Sequence, residues 1–273
     1  MEQWWLEDNA YLDCTSFGLG LCGMQGAMDF RTKGAGVISG IGEVKRIMKA
    51  LDLELVNSVD EGVHLEAKEL VMSVRGEVGA LQKAWKVSQN MLESMSGVAS
   101  FTHELVKRAK AINAGIEIAT TRKHAPALKA PMIRAIMSGG AIPHRLGLYD
   151  SVLIFEQHRA FFTDQSSFEA AFLNLKRRFL EKKIAVEVAS VDEAEYFAKL
   201  GADILQCERM DCAELLRCVE LKRAFPALVV SATGGVGIEN VAEVTRSGVD
   251  LIVTSAPYYA KPFDIKVEMR RAE

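Results

Sequence analysis

The chain has 273 residues, 49% of them hydrophobic and 25% charged, the balance of a globular protein with one large core or two modest ones and not of a disordered chain. Its 33 Lys and Arg against 36 Asp and Glu leave a net charge of −3, so no global positive field exists to gather nucleic acid or an anionic membrane, and any anion site must be local. No run approaches the roughly 18 apolar residues of a membrane helix, and the opening Met1-Glu2-Gln3-Trp4-Trp5-Leu6 lacks the basic-then-apolar layout of a secretion signal, so a soluble, cytoplasmic protein is expected.

In the first hundred residues, Gly34, Gly36, Gly40 and Gly42 break a strand-like Val37-Ile38-Ser39, and strand-like Leu53–Val56 and Leu70–Val74 follow. A separate α+β domain is expected there. Glu77 to Lys110 reads as one or two helices, interrupted at Ser96-Gly97. No Pro-rich or Ser-rich linker follows, so the two halves are expected to pack tightly.

From about Gly115 one theme repeats: a short β-branched run, a turn, then helical spacing. Six runs are readable, at Ile116–Thr121, Val152–Phe155, Ile184–Val188, Asp203–Gln206, Leu228–Ser231 and Asp250–Thr254. The helices between them are expected around Pro131–Ser138, Ser166–Lys182, Asp192–Leu200, Asp211–Ala224 and Ile238–Ser247. Strands apolar on both faces that alternate with helices imply a parallel sheet covered by helices, here a barrel-type βα array. Ser190 with Glu193, and Gly201, are the cap and stop signals of one such helix.

Five cysteines without a C-x-x-C pair, and five dispersed histidines, fit reduced thiols and argue against a structural zinc site; a metal, if used, would be a hard ion held by carboxylates.

Chemistry concentrates at expected strand ends. Thr120-Thr121-Arg122-Lys123-His124 leaves the first barrel strand, where active-site loops open; the alternative is a solvated basic turn. Ser138–Leu148 adds a glycine pair and then His144-Arg145, a flexible backbone followed by a planar cation suited to carboxylate or phosphate. Glu187 sits inside the apolar Val186-Glu187-Val188 and Glu208 follows Ile204–Cys207. An acid in so apolar a strand is costly to bury unless it is paired or faces a polar barrel mouth. Thr233-Gly234-Gly235 runs from strand through glycine loop toward a helix start, the layout of a phosphate cradle, with Ser255 on the next strand end as a further donor; a ligand-free tight turn is the alternative.

These motifs, T-T-R-K-x-x-P-x-L-K, G-G-A-x-P-H-R-x-G-L-x-D-x-V-L-I-x-x-x-H, V-E-V, A-D-I-L, T-G-G-V and G-V-D-L-I-V-T-S-A-P, resemble in order those of the quinolinate phosphoribosyltransferases, the nicotinate-nucleotide pyrophosphorylases. The likeness continues upstream through Ser96–Ser100 and, more faintly, from Leu6-Glu7-Asp8 to Asp13–Ser16. Ala84–Gln89 and Pro143–Gly147 look most like the ModD branch, a paralogue linked to molybdenum transport.

The resemblance implies an α/β protein with an N-terminal open-faced sandwich over residues 1–110, a C-terminal incomplete α/β barrel of the type II phosphoribosyltransferase kind over 111–262, and a tail, 263–273, returning to the first domain. It also implies a homodimer with shared active sites, with a higher oligomer open. Arg122 and Arg145 would hold substrate carboxylate with His144 beside them, and Lys123 would contact the pyrophosphate of phosphoribosyl pyrophosphate. Glu187 and Glu208 would bind ribose hydroxyls and Mg2+-bound water, while Thr233, Gly234, Gly235 and Ser255 would receive the 5′-phosphate.

Two departures bear on the acceptor. The family's Arg in the helix before Ser-Gly is here Lys86, preceded by Trp85 in place of an acid, and a family Lys is here Phe155. Losing one partner of a buried charged pair costs about 2–5 kcal/mol, which at about 1.4 kcal/mol per tenfold weakens a dicarboxylate by roughly 30-fold or more. The expected activity is therefore phosphoribosyl transfer to a nitrogen heterocycle other than quinolinate. The alternatives are a true quinolinate enzyme and a non-catalytic binder of phosphoribosyl pyrophosphate or a nucleotide.

Overall fold

A computed structural model describes residues 12–272; the Leu6-Glu7-Asp8 part of the resemblance lies outside the described residues. The described residues divide into two compact units, one built from residues 12–103, 125–140 and 257–272, the other from residues 104–124 and 141–256.

In the first unit, α1 (Cys14–Gly18) is capped by Asp13, whose carboxylate accepts from the Thr15 and Ser16 amides. Then come β1 (Gln25–Thr32), β2 (Gly36–Val37), α2 (Ile41–Ala50), β3 (Glu54–Ser58), β4 (His64–Leu65), β5 (Leu70–Glu77) and the long α3 (Val78–Lys110), which belongs to this unit as far as His103. An antiparallel sheet has the order β13-β1-β5-β3, with β13 (Ile265–Arg271) drawn from the end of the chain. Met28 and Phe30 of β1, Val74 of β5, Val44 and Met48 of α2 and Leu81 of α3 share one buried core. That leaves β3 largely exposed and gives an open-faced α/β sandwich.

The sheet register explains a buried acid in β1. Asp29 lies opposite Ser73, and Arg270 on the other side pairs with Ala27, two residues away. Ser73 Oγ donates to Asp29 Oδ1 at 2.5 Å and Arg270 Nη1 to Oδ2 at 2.6 Å, so the carboxylate is fully engaged. Burial pushes its pKa up, but these bonds outweigh it and hold the group below the ordinary carboxylate value.

The expected break at Ser96-Gly97 does not occur, since α3 runs through 33 residues. Both residues serve packing. Ser96 Oγ accepts from the Ser39 amide at 3.0 Å. A Cβ at Gly97 would strike the Lys261 carbonyl and lie 3.1 Å from the Phe263 nitrogen, so only glycine lets that backbone approach.

The second unit carries seven parallel strands: β6 (Glu117–Thr120), β7 (Ile142–Pro143), β8 (Val152–Ile154), β9 (Ile184–Val188), β10 (Ile204–Glu208), β11 (Val229–Thr233) and β12 (Leu251–Thr254). Their order is β7-β6-β12-β11-β10-β9-β8, a curled half-barrel whose edge strands β7 and β8 do not pair. The sequence shows six of these strands. The seventh, β7, is a two-residue strand inside the glycine-to-arginine loop, too short to leave a periodic signal.

Ile118, Val186, Leu205, Val230 and Ile252, one from each of five central strands, are wholly buried, as expected for a sheet covered on both faces. The covering helices include α6 (Gln165–Arg178), α7 (Val191–Leu200), α8 (Cys212–Glu220) and α9 (Val241–Arg246), after α4 (Lys129–Ser138) of the first unit and the short α5 (Glu156–Arg159). Ser190 Oγ caps α7 by accepting from the Glu193 amide at 3.2 Å, and Gly201 ends it with φ +94°. All five cysteines are free thiols. Among the described residues no helix is long and apolar enough to cross a membrane.

Candidate active site

Because the seven strands run parallel, their carboxyl ends open on one edge. A cavity of about 190 Å3 opens there, and into it converge Arg122, Lys123, His144, Arg145, Glu187 and Glu208. Phe155 and Thr233 also line it, with Leu153 and Val253 as apolar wall.

The strand ends are tied by their own backbone. The Thr121 amide donates to the Thr254 carbonyl at 3.0 Å and the His144 amide to the Thr120 carbonyl at 2.9 Å. The Thr121 and Ser255 hydroxyls share a hydrogen bond of 2.7 Å, and the Lys123 amide donates to Thr121 Oγ1 at 3.2 Å. Arg122 and Lys123 therefore leave the sheet from a fixed turn.

The cations crowd one another. Burial, then the Arg145 charge, depresses the pKa of His144, which favours the neutral imidazole. Burial, then Arg122, also lowers that of Arg145. The Arg145 guanidinium lies 5.7 Å from the centre of the Phe155 ring, within cation–π range. An anion entering here would relieve unfavourable charge.

The acids oppose the cations. Burial, then the neighbouring Glu208 carboxylate, raises the pKa of Glu187, against the pull of Gln206, Lys123 and Arg159. Gln206 pairs with Glu187 in the register of β10 and β9, and its amide donates to Glu187 Oε2 at 3.0 Å. The other end of that amide, Gln206 Oε1, is buried without a partner. Sequence reasoning missed Gln206, although a polar residue in Ile204-Leu205-Gln206-Cys207 carries the same signal that singled out Glu187.

The glycine loop after β11 is shaped by two consecutive left-handed residues, Gly234 (φ +86°) and Gly235 (φ +73°). Asn240 holds it, with Oδ1 accepting from the Gly237 amide at 2.8 Å and Nδ2 donating to the Gly235 carbonyl at 3.1 Å. Lys86 does not line the cavity. It belongs to α3 of the first unit, where its ammonium donates to Gln89 Oε1 at 3.1 Å and lies 5.3 Å from the Trp85 ring centre.

A larger cavity, about 490 Å3, lies on the helical side of the second unit, walled by Phe162, Phe168, Tyr196 and Phe197. Its cation, Arg159, is already paired with Glu193 at 2.9 Å and stacked on Phe197. The smaller cavity is the better candidate, since its charged groups converge.

The quinolinate phosphoribosyl transferase N-terminal domain matches residues 13–96 and the C-terminal domain of the same family matches residues 98–268. The ModD protein of Pasteurella multocida is 34% identical over 268 residues, covering 98% of this chain and 95% of that relative. The ModD protein of Rhodobacter capsulatus is 36% identical over 242 residues, covering 89% and 93%. The solved nicotinate-nucleotide pyrophosphorylase of Francisella tularensis shares the fold with a TM-score of 0.90 at 22% identity, over 98% of this chain and 94% of that one. With both domains matched and the half-barrel edge furnished with opposed cations and acids, the chain belongs to the quinolinate phosphoribosyltransferase family and is a phosphoribosyltransferase, an enzyme of pentosyl transfer.

Proposed function

We propose that the cavity binds phosphoribosyl pyrophosphate and transfers its ribose 5-phosphate to a ring nitrogen of a heterocycle carrying fewer carboxylates than quinolinate. The observation that carries this reading is the convergence of Arg122, Lys123, His144 and Arg145 with Glu187 and Glu208 in one cavity at the strand ends. Cations in such a site suit a carboxylate and a leaving pyrophosphate. The two acids suit a sugar whose anomeric carbon gains positive charge as its bond to pyrophosphate breaks.

In this mechanism the ring nitrogen attacks the anomeric carbon as pyrophosphate departs. Lys123 offsets the charge on the leaving group, Arg122 and Arg145 orient the acceptor through its carboxylate, and Glu187 and Glu208 stabilise the sugar. No protein nucleophile takes part, so the catalytic gain comes from alignment and electrostatics. The Gly234-Gly235 loop, with Thr233 and Ser255, is assigned the 5′-phosphate.

Among the described residues no group of three or more His, Cys, Asp or Glu side chains is placed to hold a metal. Glu187 and Glu208 nevertheless fit Mg2+, which keeps several waters and is held by one or two carboxylates plus substrate phosphates. Their mutual repulsion is what such an ion would relieve. When bound, the ion would supply charge neutralisation for the pyrophosphate.

Phe155 supports the change of acceptor, since an aromatic ring faces the cavity where the family resemblance implies a cation. The test is pyrophosphate release from phosphoribosyl pyrophosphate and Mg2+ with a panel of nitrogen heterocycles. Release with a single-carboxylate ring, at a rate well above that with quinolinate, is expected. Efficient turnover of quinolinate would overturn the acceptor assignment. Binding of phosphoribosyl pyrophosphate without release of pyrophosphate in the presence of any ring would instead favour a binding protein.

Kinship with the ModD proteins supports a place beside molybdenum transport, and slower growth of a deletion strain on limiting molybdate is the expected sign. Normal growth there would remove that link. The family resemblance also supports a homodimer with shared sites, for which sedimentation velocity should give twice the 30.0 kDa chain mass.

A further inference from the structure

The chain leaves β10 through a strained residue. Arg209, directly after Glu208, has φ +55°, a left-handed backbone that a residue bearing a Cβ adopts only against a steric penalty. Its amide pins the conformation by donating to the Thr233 carbonyl at 2.9 Å.

Across from it, Gly234 has no room for a side chain. A Cβ there would lie 2.5 Å from Arg209 Cγ and 2.9 Å from Glu208 Oε1. The arginine stem thus packs into the space that Gly234 leaves. Its Nε stands 3.3 Å from Glu208 Oε1, and its side chain is 81% exposed. The next glycine is different: a Cβ at Gly235 would meet nothing within 4 Å, so that side of the loop is open.

An exposed arginine–carboxylate pair contributes little in water. Arginine and a phosphate dianion, by contrast, form paired, charge-assisted hydrogen bonds. Strain held at one residue, beside a glycine loop and an acid of the cavity, is a reason to look for function. Resting on the phosphoribosyl reading, we propose that Arg209 is a phosphate-binding residue: its guanidinium leaves Glu208 and clamps the sugar 5′-phosphate at Gly234-Gly235, freeing the Glu208 carboxylate for the sugar. Arrival of the phosphate would then unmask an acid that the free enzyme keeps paired.

Titration calorimetry of the full chain with ribose 5-phosphate and, separately, inorganic pyrophosphate, both with Mg2+, tests this. Arg209→Ala should weaken ribose 5-phosphate by about tenfold or more, the worth of a charged hydrogen bond. Arg209→Lys should weaken it less, and pyrophosphate affinity should stay within about twofold of wild type. Arg209→Gly relieves the backbone penalty, so it should melt above wild type while losing ribose 5-phosphate as the alanine variant does. A merely structural arginine would not separate those two readouts. Unchanged ribose 5-phosphate affinity in Arg209→Ala, or equal loss of both ligands, overturns the proposal. Absence of binding of either ligand to the wild type would instead overturn the phosphoribosyl reading on which it rests.

Discussion

Phe155→Lys restores a cation where the family resemblance implies one, and its consequences can be worked from the cavity. The Arg145 guanidinium lies 5.7 Å from the Phe155 ring centre. An ammonium near that point repels it by about 0.7 kcal/mol in a water-like medium and about 3 kcal/mol at an effective dielectric of about 20. The lost cation–π contact adds about 0.5–1 kcal/mol. The free variant should therefore melt below wild type. A second carboxylate on the ligand reverses the balance, because a buried charged pair is regained, an effect of about 2–5 kcal/mol, or roughly 30-fold or more in affinity. Calorimetry with pyridine-2,3-dicarboxylate, compared with pyridine-3-carboxylate, should show that gain for the dicarboxylate alone. Equal affinity of the variant and the wild type for the dicarboxylate would refute the idea that Phe155 governs acceptor charge.

Further outcomes follow from the same geometry. Lys123→Ala should cut pyrophosphate release by about 100-fold or more, as loss of a group stabilising developing charge does, with melting little changed; undiminished release would remove Lys123 from the mechanism. His144 is held below its ordinary value by burial and Arg145, so a bound anion should raise its pKa and draw in a proton. Calorimetry of pyridine-3-carboxylate binding near pH 6.5 in buffers of different ionisation enthalpy should show that uptake, and His144→Gln should abolish it. Asp29 is held below the ordinary carboxylate value because the Ser73 and Arg270 bonds outweigh burial. Its stabilisation is present above the unfolded value, about pH 4, and is lost as pH falls through the lower folded value. Arg270→Ala should destabilise the fold by about 1–3 kcal/mol at neutral pH and flatten that acid limb in denaturant titrations; an unchanged limb would contradict it.

The half-barrel was legible because its strands obey one rule. Five central strands covered on both faces read as short apolar runs, and within such runs a single acid such as Glu187 stands out. The same rule hid β1, whose Gly26 and Asp29 interrupt the apolar pattern; only the register opposite Ser73 and near Arg270 shows why an acid belongs there. Ser96-Gly97 resembled a helix break because a local reading weighs glycine's entropy and not the backbone that packs against it. Arg122, Lys123, His144 and Arg145 could be named from their strand-end positions, yet their crowding depends on the placing of β7 beside β6. Arg209 gave no signal at all, since its role rests on a backbone angle and on the space left by Gly234.

The most direct measurement is mass spectrometry of the products when wild-type enzyme is incubated with phosphoribosyl pyrophosphate, Mg2+ and single-carboxylate nitrogen heterocycles. The expected result is a ring-nitrogen ribonucleotide formed in step with pyrophosphate and missing from the Lys123→Ala reaction. Recovery of every ring and of the sugar donor unchanged would contradict transfer at this cavity.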